Sequence, residues 1–347
     1  KKKIILLAAG GTGGHLFPAI AVAEELERRK ISAHLITDCR CEKYLTPDLP
    51  VETHIINLYM KMSGLLAKIK SMTALLFACF QAIILLRKIK PNLVIGFGGY
   101  PSFPSLFAAI ILGIPIVIHE QNCFFGKSNR IFARFAKIIA LSYKETKNIN
   151  LKLKNKIIFT GDIVRSKIYN LPPKKSFGGK RFQLFIVGGS QGAKIFSELV
   201  PNAIKKLKKL NPQLNITITQ QASKTEQKSI SKIYAKLGIK HELAEFFHNM
   251  PEIYKKSQLV IARSGAGTIG ELTAIGLPAI FIPFPYASDD HQYFNAKSLA
   301  DNGAAWCWRQ EDISDAILAK EIHELTTNKK LLEQASIALL ARKNNGA

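Results

Sequence analysis

Six consecutive residues, Gly10-Gly11-Thr12-Gly13-Gly14-His15, hold the first side chain in this sequence that could move a proton at neutral pH. His15 is the only ionisable group in that run, and an imidazole with an ordinary pKa near 6.5 suits a general base. The four glycines around it let backbone N–H groups approach a phosphate or a reacting sugar. A plainer reading is a glycine turn whose histidine caps the helix that follows. Two further loops repeat the chemistry. Gly188-Gly189-Ser190-Gln191-Gly192 follows the strand-like run at 184–187, and Ser264-Gly265-Ala266-Gly267 follows another at 259–263.

Gly265-x-Gly267-x-x-Gly270 has the spacing of a dinucleotide fingerprint. The acid expected to meet a ribose about 20 residues on would be Asp289 or Asp290, after a proline-rich loop. Glu271, beside the glycine turn itself, reaches a ribose more directly, and a helix N-terminus there favours a nucleotide diphosphate. The loop at 188–192 lacks the Gly-Lys-Ser/Thr ending of an ATP-binding loop. Past the strand-like run that ends in His119-Glu120-Gln121-Asn122, Glu120 is a second candidate base, or else a structural carboxylate that orients its loop.

These loops need rigid elements to hold them. Strand-like runs at 4–9, 33–37 and 93–96 alternate with helical patterns at 18–29 and 65–88, which predicts a parallel sheet covered by helices. Pro18 fits the first turn of the first helix. A strand, a glycine turn, a helix, Gly-Ile-Pro or Gly-Leu-Pro and another strand occur once in each half (from Leu93 and from Leu259), so the chain reads as two similar doubly wound α/β domains. Their junction lies at 160–171, and a ligand site between facing sheet ends follows.

The 347 residues, 47% hydrophobic and 21% charged, suit two globular domains. A formal net charge of +24 asks for an anionic partner: nucleic acid, an anionic membrane or phosphorylated substrates. Five scattered cysteines without zinc or disulfide spacing suggest a reduced cytoplasmic setting, and the opening lysines lead straight into a strand without a signal-peptide pattern. The longest apolar stretch, 74–86, is shorter than the about 20 residues a bilayer requires, which predicts a protein that is soluble or lies on a membrane rather than crossing it. Three function classes fit parts of this pattern. A sugar transferase uses both glycine-loop halves, a nicotinamide-dependent enzyme only the 265–270 turn, and a nucleic-acid binder only the charge.

Six motifs in order, Gly-Gly-Thr-Gly-Gly-His, Gly-Gly-Tyr-Pro-Ser, His-Glu-Gln-Asn, Gly-Gly-Ser-Gln-Gly-Ala, Arg-Ser-Gly-Ala-Gly-Thr and Asp-His-Gln-x-x-Asn-Ala, span nearly the whole chain. In them it resembles the MurG family, the undecaprenyldiphospho-muramoylpentapeptide β-N-acetylglucosaminyltransferases of bacterial peptidoglycan synthesis. The resemblance implies a GT-B fold of two Rossmann-like domains facing across a cleft. It further implies inverting transfer of N-acetylglucosamine from UDP-N-acetylglucosamine to lipid I, giving lipid II; the sequence itself has no Asp-x-Asp pair to chelate a metal on the diphosphate, and neither a metal nor a cofactor is expected.

The implied donor contacts are Thr12, Gly13, Gly14, Asn122, Arg165 and Ser190, with the Phe247 backbone on uracil. Ala266, Gly267, Thr268, Ile269, Gly270 and Glu271 would hold diphosphate and ribose, and Gln292 the sugar, with His15 or Glu120 as base. The linker reads Gly161-Asp162-Ile163-Val164-Arg165 where the family usually has Asn-Pro before Val-Arg. The implied domains are 1–163 for acceptor and membrane, 164–328 for the UDP-sugar, and a helix at 329–347 packing back on the first domain. The implied partners are the two substrates and the anionic cytoplasmic face of the bacterial inner membrane, and no nucleic acid. Apolar side chains including Leu75, Leu76, Phe77 and Phe80 would enter that membrane.

Overall fold

The structure, a computed structural model, describes residues 3–47, 49–56, 65–174, 176–189 and 192–343. It divides into two compact units, one ending at Ser166 and the other spanning Lys167–Lys343.

In the first unit the strands are β1 (Ile4–Ala8), β2 (Ser32–Thr37), β3 (Glu52–Ile55), β4 (Leu93–Gly96), β5 (Ile116–Glu120), β6 (Ile138–Leu141) and β7 (Ile157–Phe159). The helices are α1 (Gly13–Arg28), α2 (Leu65–Ile89), α3 (Phe103–Ile111) and α4 (Lys127–Phe132). All strand pairs are parallel, in the order β3-β2-β1-β4-β5-β6-β7. Successive residues of β1 serve opposite faces, as a strand's two-residue period requires. Leu7 joins Leu16, Ala19, Ile20 and Ala23 of α1, whereas Leu6 and Ala8 join Ala78, Ala82 and Leu86 of α2. The sheet is therefore covered on both sides, the doubly wound plan expected.

A short helix α5 (Ser166–Tyr169) lies at the boundary. The second unit contains β8 (Phe182–Val187), α6 (Lys194–Leu210), β9 (Ile216–Gln221), α7 (Lys224–Lys236), β10 (Lys240–Ala244), α8 (Met250–Lys256) and β11 (Leu259–Ala262). It continues with α9 (Ala266–Ile275), β12 (Ala279–Phe281), α10 (His291–Ala300), β13 (Trp306–Cys307), α11 (Asp315–Thr327) and α12 (Lys329–Arg342). The strand order is β10-β9-β8-β11-β12-β13, again all parallel. Leu184 and Ile186 of β8 pack on α6, while Phe185 between them meets Phe247 and Tyr254 edge-on.

Two local features differ from the sequence expectations. The first helix begins at Gly13, so Pro18 sits buried inside it rather than in its first turn. Within the second unit, Ser336 of the last helix donates to Lys174 O, Arg342 reaches Ser298, and Leu340 and Ser336 crowd Gly276, the left-handed residue that ends α9. The apolar helix is also longer than the apolar stretch at 74–86. From Ile69 to Ile89, 21 residues, it is long and apolar enough to cross a membrane by length and composition. Isolated Ser71, Thr73 and Gln81 do not interrupt it, and one of its faces is spent on the sheet through Ala78, Ala82 and Leu86.

Candidate active site

The residues singled out by the sequence fall into two groups, one per unit, each at the carboxyl ends of parallel strands. In the first unit β1 leads into the turn Gly10–Thr12. A Cβ on Gly10 would lie 2.8 Å from Pro101 Cβ and 2.9 Å from Asp38 Oδ1, so only glycine fits. Gly11 adopts φ 82°, and its N–H donates to Asp38 Oδ1 at 2.9 Å. Asp38, buried at the end of β2 and paired through its other oxygen with Arg40, thus holds the turn.

Thr12 caps α1 with extended backbone, and Gly13 and Gly14 form the helix's first turn. His15 follows, half-buried, with Nδ1 3.1 Å from Thr12 Oγ1. When Nδ1 carries the proton and donates to that hydroxyl, Nε2 presents the lone pair a base needs. The second glycine pair seats the ring from the other side. Gly99, at φ 71°, would place a Cβ 3.3 Å from the His15 imidazole, so a side chain there would crowd the ring.

Glu120 ends β5 and is 2% exposed. Its Oε1 accepts from the backbone and side-chain N–H groups of Asn122, both at 3.0 Å; its Oε2 accepts from Gly126 N at 2.9 Å and Asn129 Nδ2 at 2.8 Å. Burial raises its pKa, and the four donors pull the other way by favouring the carboxylate. Both oxygens are thus committed to donors of its own segment, the arrangement a structural carboxylate takes, whereas a base must also reach a substrate proton. Asn122 is oriented by the same contact.

The neighbouring His119 is fully buried against Phe97 with neither ring nitrogen hydrogen-bonded to the described residues, and burial lowers its pKa to about 4. Gln121 bridges Phe97 O at 2.6 Å and Gly14 O at 3.4 Å. Arg165, at the end of the first unit, stacks over the Phe17 ring of α1 at 4.4 Å.

In the second unit Ser190 lies outside the described residues. Gly188 before it could carry no Cβ, which would meet Ala193 N at 2.2 Å, and the Gln221 side chain ties Gly188 N to Gly189 O. At α9, Gly265 is the cap and Ile269 N–H already donates to Gly265 O. The first-turn amides of Ala266, Gly267 and Thr268 are the ones a helix leaves to an outside acceptor. Ile269 is core, 1% exposed, and Gly270 is buried within the helix.

Glu271 is nearly buried, and its Oε2 accepts from Tyr254 Oη–H at 2.9 Å. Tyr254 and Phe247 both lean on Phe185, which places the end of β10 beside α9's acidic residue. Gln292 has its side-chain carbonyl fixed by Phe284 N–H and its backbone carbonyl by Ser264 Oγ–H, leaving its NH2 end without a protein partner among the described residues. Arg263 donates to Ile282 O, Pro283 O and Gln310, bracing the start of the loop that leads from β12 into α10, where Gln292 sits. Burial lowers its pKa to about 10, so it remains charged at neutral pH. The alternative ribose partner Asp290 is taken by Arg309 at 2.7 Å.

Asp38, Gln121, Asn129 and Tyr254 were not singled out by the sequence as site residues. Only strand-end position could have flagged Asp38; the others act through partners distant in sequence.

Two glycine-turn half-sites, each at the carboxyl edge of a doubly wound parallel sheet, define a protein class that binds nucleotides and their sugars. The chain belongs to glycosyltransferase family 28: the family's N-terminal domain matches residues 5–141 and its C-terminal domain residues 183–347. It is 52% identical to the UDP-N-acetylglucosamine–N-acetylmuramyl-(pentapeptide) pyrophosphoryl-undecaprenol N-acetylglucosamine transferase of Rickettsia bellii (strain RML369-C), covering 99% of this chain and 96% of the relative. Identity to the same-named transferase of Rickettsia canadensis (strain McKiel) is also 52%, with the same coverage. Among solved structures it is similar to Acinetobacter baumannii MurG, with a TM-score of 0.74 and 30% identity over 97% of this chain and 94% of that one.

Proposed function

We propose that this chain transfers N-acetylglucosamine from UDP-N-acetylglucosamine to the N-acetylmuramyl-pentapeptide pyrophosphoryl-undecaprenol acceptor, lipid I, to make lipid II. The observation that carries this reading is the pairing, in one family 28 chain, of a seated imidazole beside a glycine turn with a helix N-terminus that carries a nearly buried glutamate. An inverting transfer needs a base on the attacking hydroxyl and donors on the departing diphosphate, with no enzyme nucleophile.

His15 takes the proton through Nε2, held in its tautomer by Thr12. The amides of Ala266, Gly267 and Thr268 meet the diphosphate at the positive end of α9, whose dipole favours the departing charge. Glu271, steadied by Tyr254, accepts from the ribose hydroxyls. Arg165 and Asn122 complete the donor contacts, Gln292 offers its NH2 group to the sugar, and the Phe247 backbone meets uracil. The acceptor's polyisoprenyl chain stays in a bilayer, so we infer that the first unit docks on an anionic membrane, the inner membrane's cytoplasmic face. The outward stripe of α2 supports this: Ile69, Met72, Leu76, Phe77, Phe80 and Ile84 are all exposed, as is Ile111 of α3.

A transfer assay with radiolabelled UDP-N-acetylglucosamine and a lipid I analogue tests the reaction. Label moving to the lipid product is the expected outcome. Thermal stabilisation by NAD but not by UDP, with no transfer, would favour the nicotinamide reading instead.

A further inference from the structure

Away from both half-sites, the exposed margin of the first sheet carries three metal-ligating side chains. His34 of β2 stands in register with Glu52 of β3, and His54 follows Glu52 by two residues, so the three share one face of the sheet. Their donor atoms converge. His34 Nδ1 lies 3.1 Å from His54 Nε2, and the Glu52 carboxylate oxygens lie 3.5 Å from the first nitrogen and 3.6 Å from the second.

Ligands at about 2.0–2.1 Å from a tetrahedral zinc ion are about 3.3–3.4 Å apart; the two nitrogens, and each nitrogen with its nearer Glu52 oxygen, lie close to that spacing, and one donor atom from each of the three residues falls within 4.8 Å of the others. We propose that His34, Glu52 and His54 form a site for a divalent transition metal of the zinc class, joining the edge strand β3 to β2.

The donor set fits the ion. Two imidazoles and one carboxylate suit zinc, nickel or copper and discriminate against magnesium and calcium, which take oxygen ligands. Both rings are largely shielded whereas the Glu52 side chain is 68% exposed, so an ion can enter from solvent and keep water in its remaining position. Metal binding to such a site fixes β3 against its neighbour and stabilises the folded unit by mass action. This site is independent of the transferase reading, since none of its residues belongs to either half-site.

The test uses the full chain without a polyhistidine tag. Zinc titration by calorimetry is expected to show one saturable equivalent at micromolar affinity or tighter. Cobalt should give the visible absorption of a low-coordinate site, and the melting temperature should rise with zinc but not with magnesium. Glu52→Gln and His54→Gln should each weaken binding by about tenfold or more, since each removes one of three protein ligands. Unchanged melting of both variants without metal would show that they fold. Absence of a saturable equivalent, or equal affinity in both variants and the parent, overturns the site.

Discussion

Gln121 donates its side-chain amide to the carbonyl oxygen of Gly14, 107 residues earlier in the chain. That carbonyl would ordinarily accept from the N–H four residues on, but the residue there is Pro18, which has none. A proline inside α1 thus leaves an acceptor at the turn that carries His15, and the His-Glu-Gln-Asn segment supplies the donor. Gln121→Ala is expected to cost about 1–3 kcal/mol, because it also leaves Phe97 O without its donor. In a Pro18→Ala background the helix regains its own N–H, so the cost should shrink by about 0.5–1.5 kcal/mol. Denaturant unfolding of the four proteins measures this, and an equal cost in both backgrounds would sink the Gly14 link.

His15 and Glu120 separate by their surroundings. His15→Ala should lower turnover by about a hundredfold or more with UDP affinity little changed. Glu120→Gln brings an NH2 group into a shell made entirely of donors, so it should destabilise the protein by about 1–3 kcal/mol. The acid limb of the kcat/KM profile should persist in Glu120→Gln and vanish in His15→Ala. The reverse pattern would transfer the base role to Glu120.

Glu271 and Tyr254 give a graded test of nucleotide binding by the second unit. Glu271→Ala should weaken UDP by about 1.5–3 kcal/mol, as expected for hydrogen bonds to a charged group. Tyr254→Phe keeps the carboxylate but loses the donor on Oε2, and about 0.5–1.5 kcal/mol is expected. Calorimetry with UDP decides; unchanged affinity in Glu271→Ala would place the ribose elsewhere.

The parts of this site that depend on backbone were readable in the sequence, because positive φ and close approach leave glycine almost no substitute. Gly10 and Gly188 mark turns that a Cβ could not enter, and Gly99 holds a positive φ against the His15 ring. The doubled plan of strand, glycine turn and helix was equally plain. What sequence reading missed is long-range. The start of α1 was misplaced because Pro18 resembles a first-turn proline, and only Gln121 shows how an interior one is accommodated. Asp38 and Tyr254 look like ordinary residues until folding sets them against Gly11 and Glu271. The sequence groups Leu75 with its membrane-facing neighbours, yet it packs against the core, since an apolar run alone does not say which side of a helix meets the sheet.

His119 makes stability depend on pH. Its folded pKa of about 4 lies below the ordinary 6.5, so between those values the unfolded chain binds the extra proton. Stability therefore rises with pH across that window and is lost as pH falls through it, by about 3 kcal/mol in full. His119→Leu removes this contribution while keeping the site apolar. Urea unfolding from pH 4.5 to 7.5 should show the parent's curve steepening below about pH 6.5 relative to the variant. Parallel curves would mean that the imidazole finds a partner when protonated.

Membrane docking turns on which side chains of α2 face outward. Ser71, Ala78, Cys79, Ala82 and Leu86 are buried, whereas Ile69, Met72, Leu76, Phe77, Phe80 and Ile84 are exposed, so the helix has one face in the core and one large apolar face in solvent. Lys70, Arg87, Lys88 and Lys90 are exposed around it. Burying a large apolar side chain is worth about 1.5–3 kcal/mol, and a cation near an anionic surface about 1 kcal/mol, so the stripe and its basic flanks reinforce one another. Changing Leu76, Phe77 and Phe80 together to serine should abolish co-sedimentation with anionic vesicles while leaving UDP binding intact. Leu75→Ser, on the packed side, should instead lower the melting temperature. Added salt should weaken the parent's binding, because the cationic share is screened within a Debye length. Equal sedimentation with neutral vesicles at high salt would remove the electrostatic part and leave insertion of the apolar stripe alone; retained binding in the triple-serine variant would remove α2 from the interface.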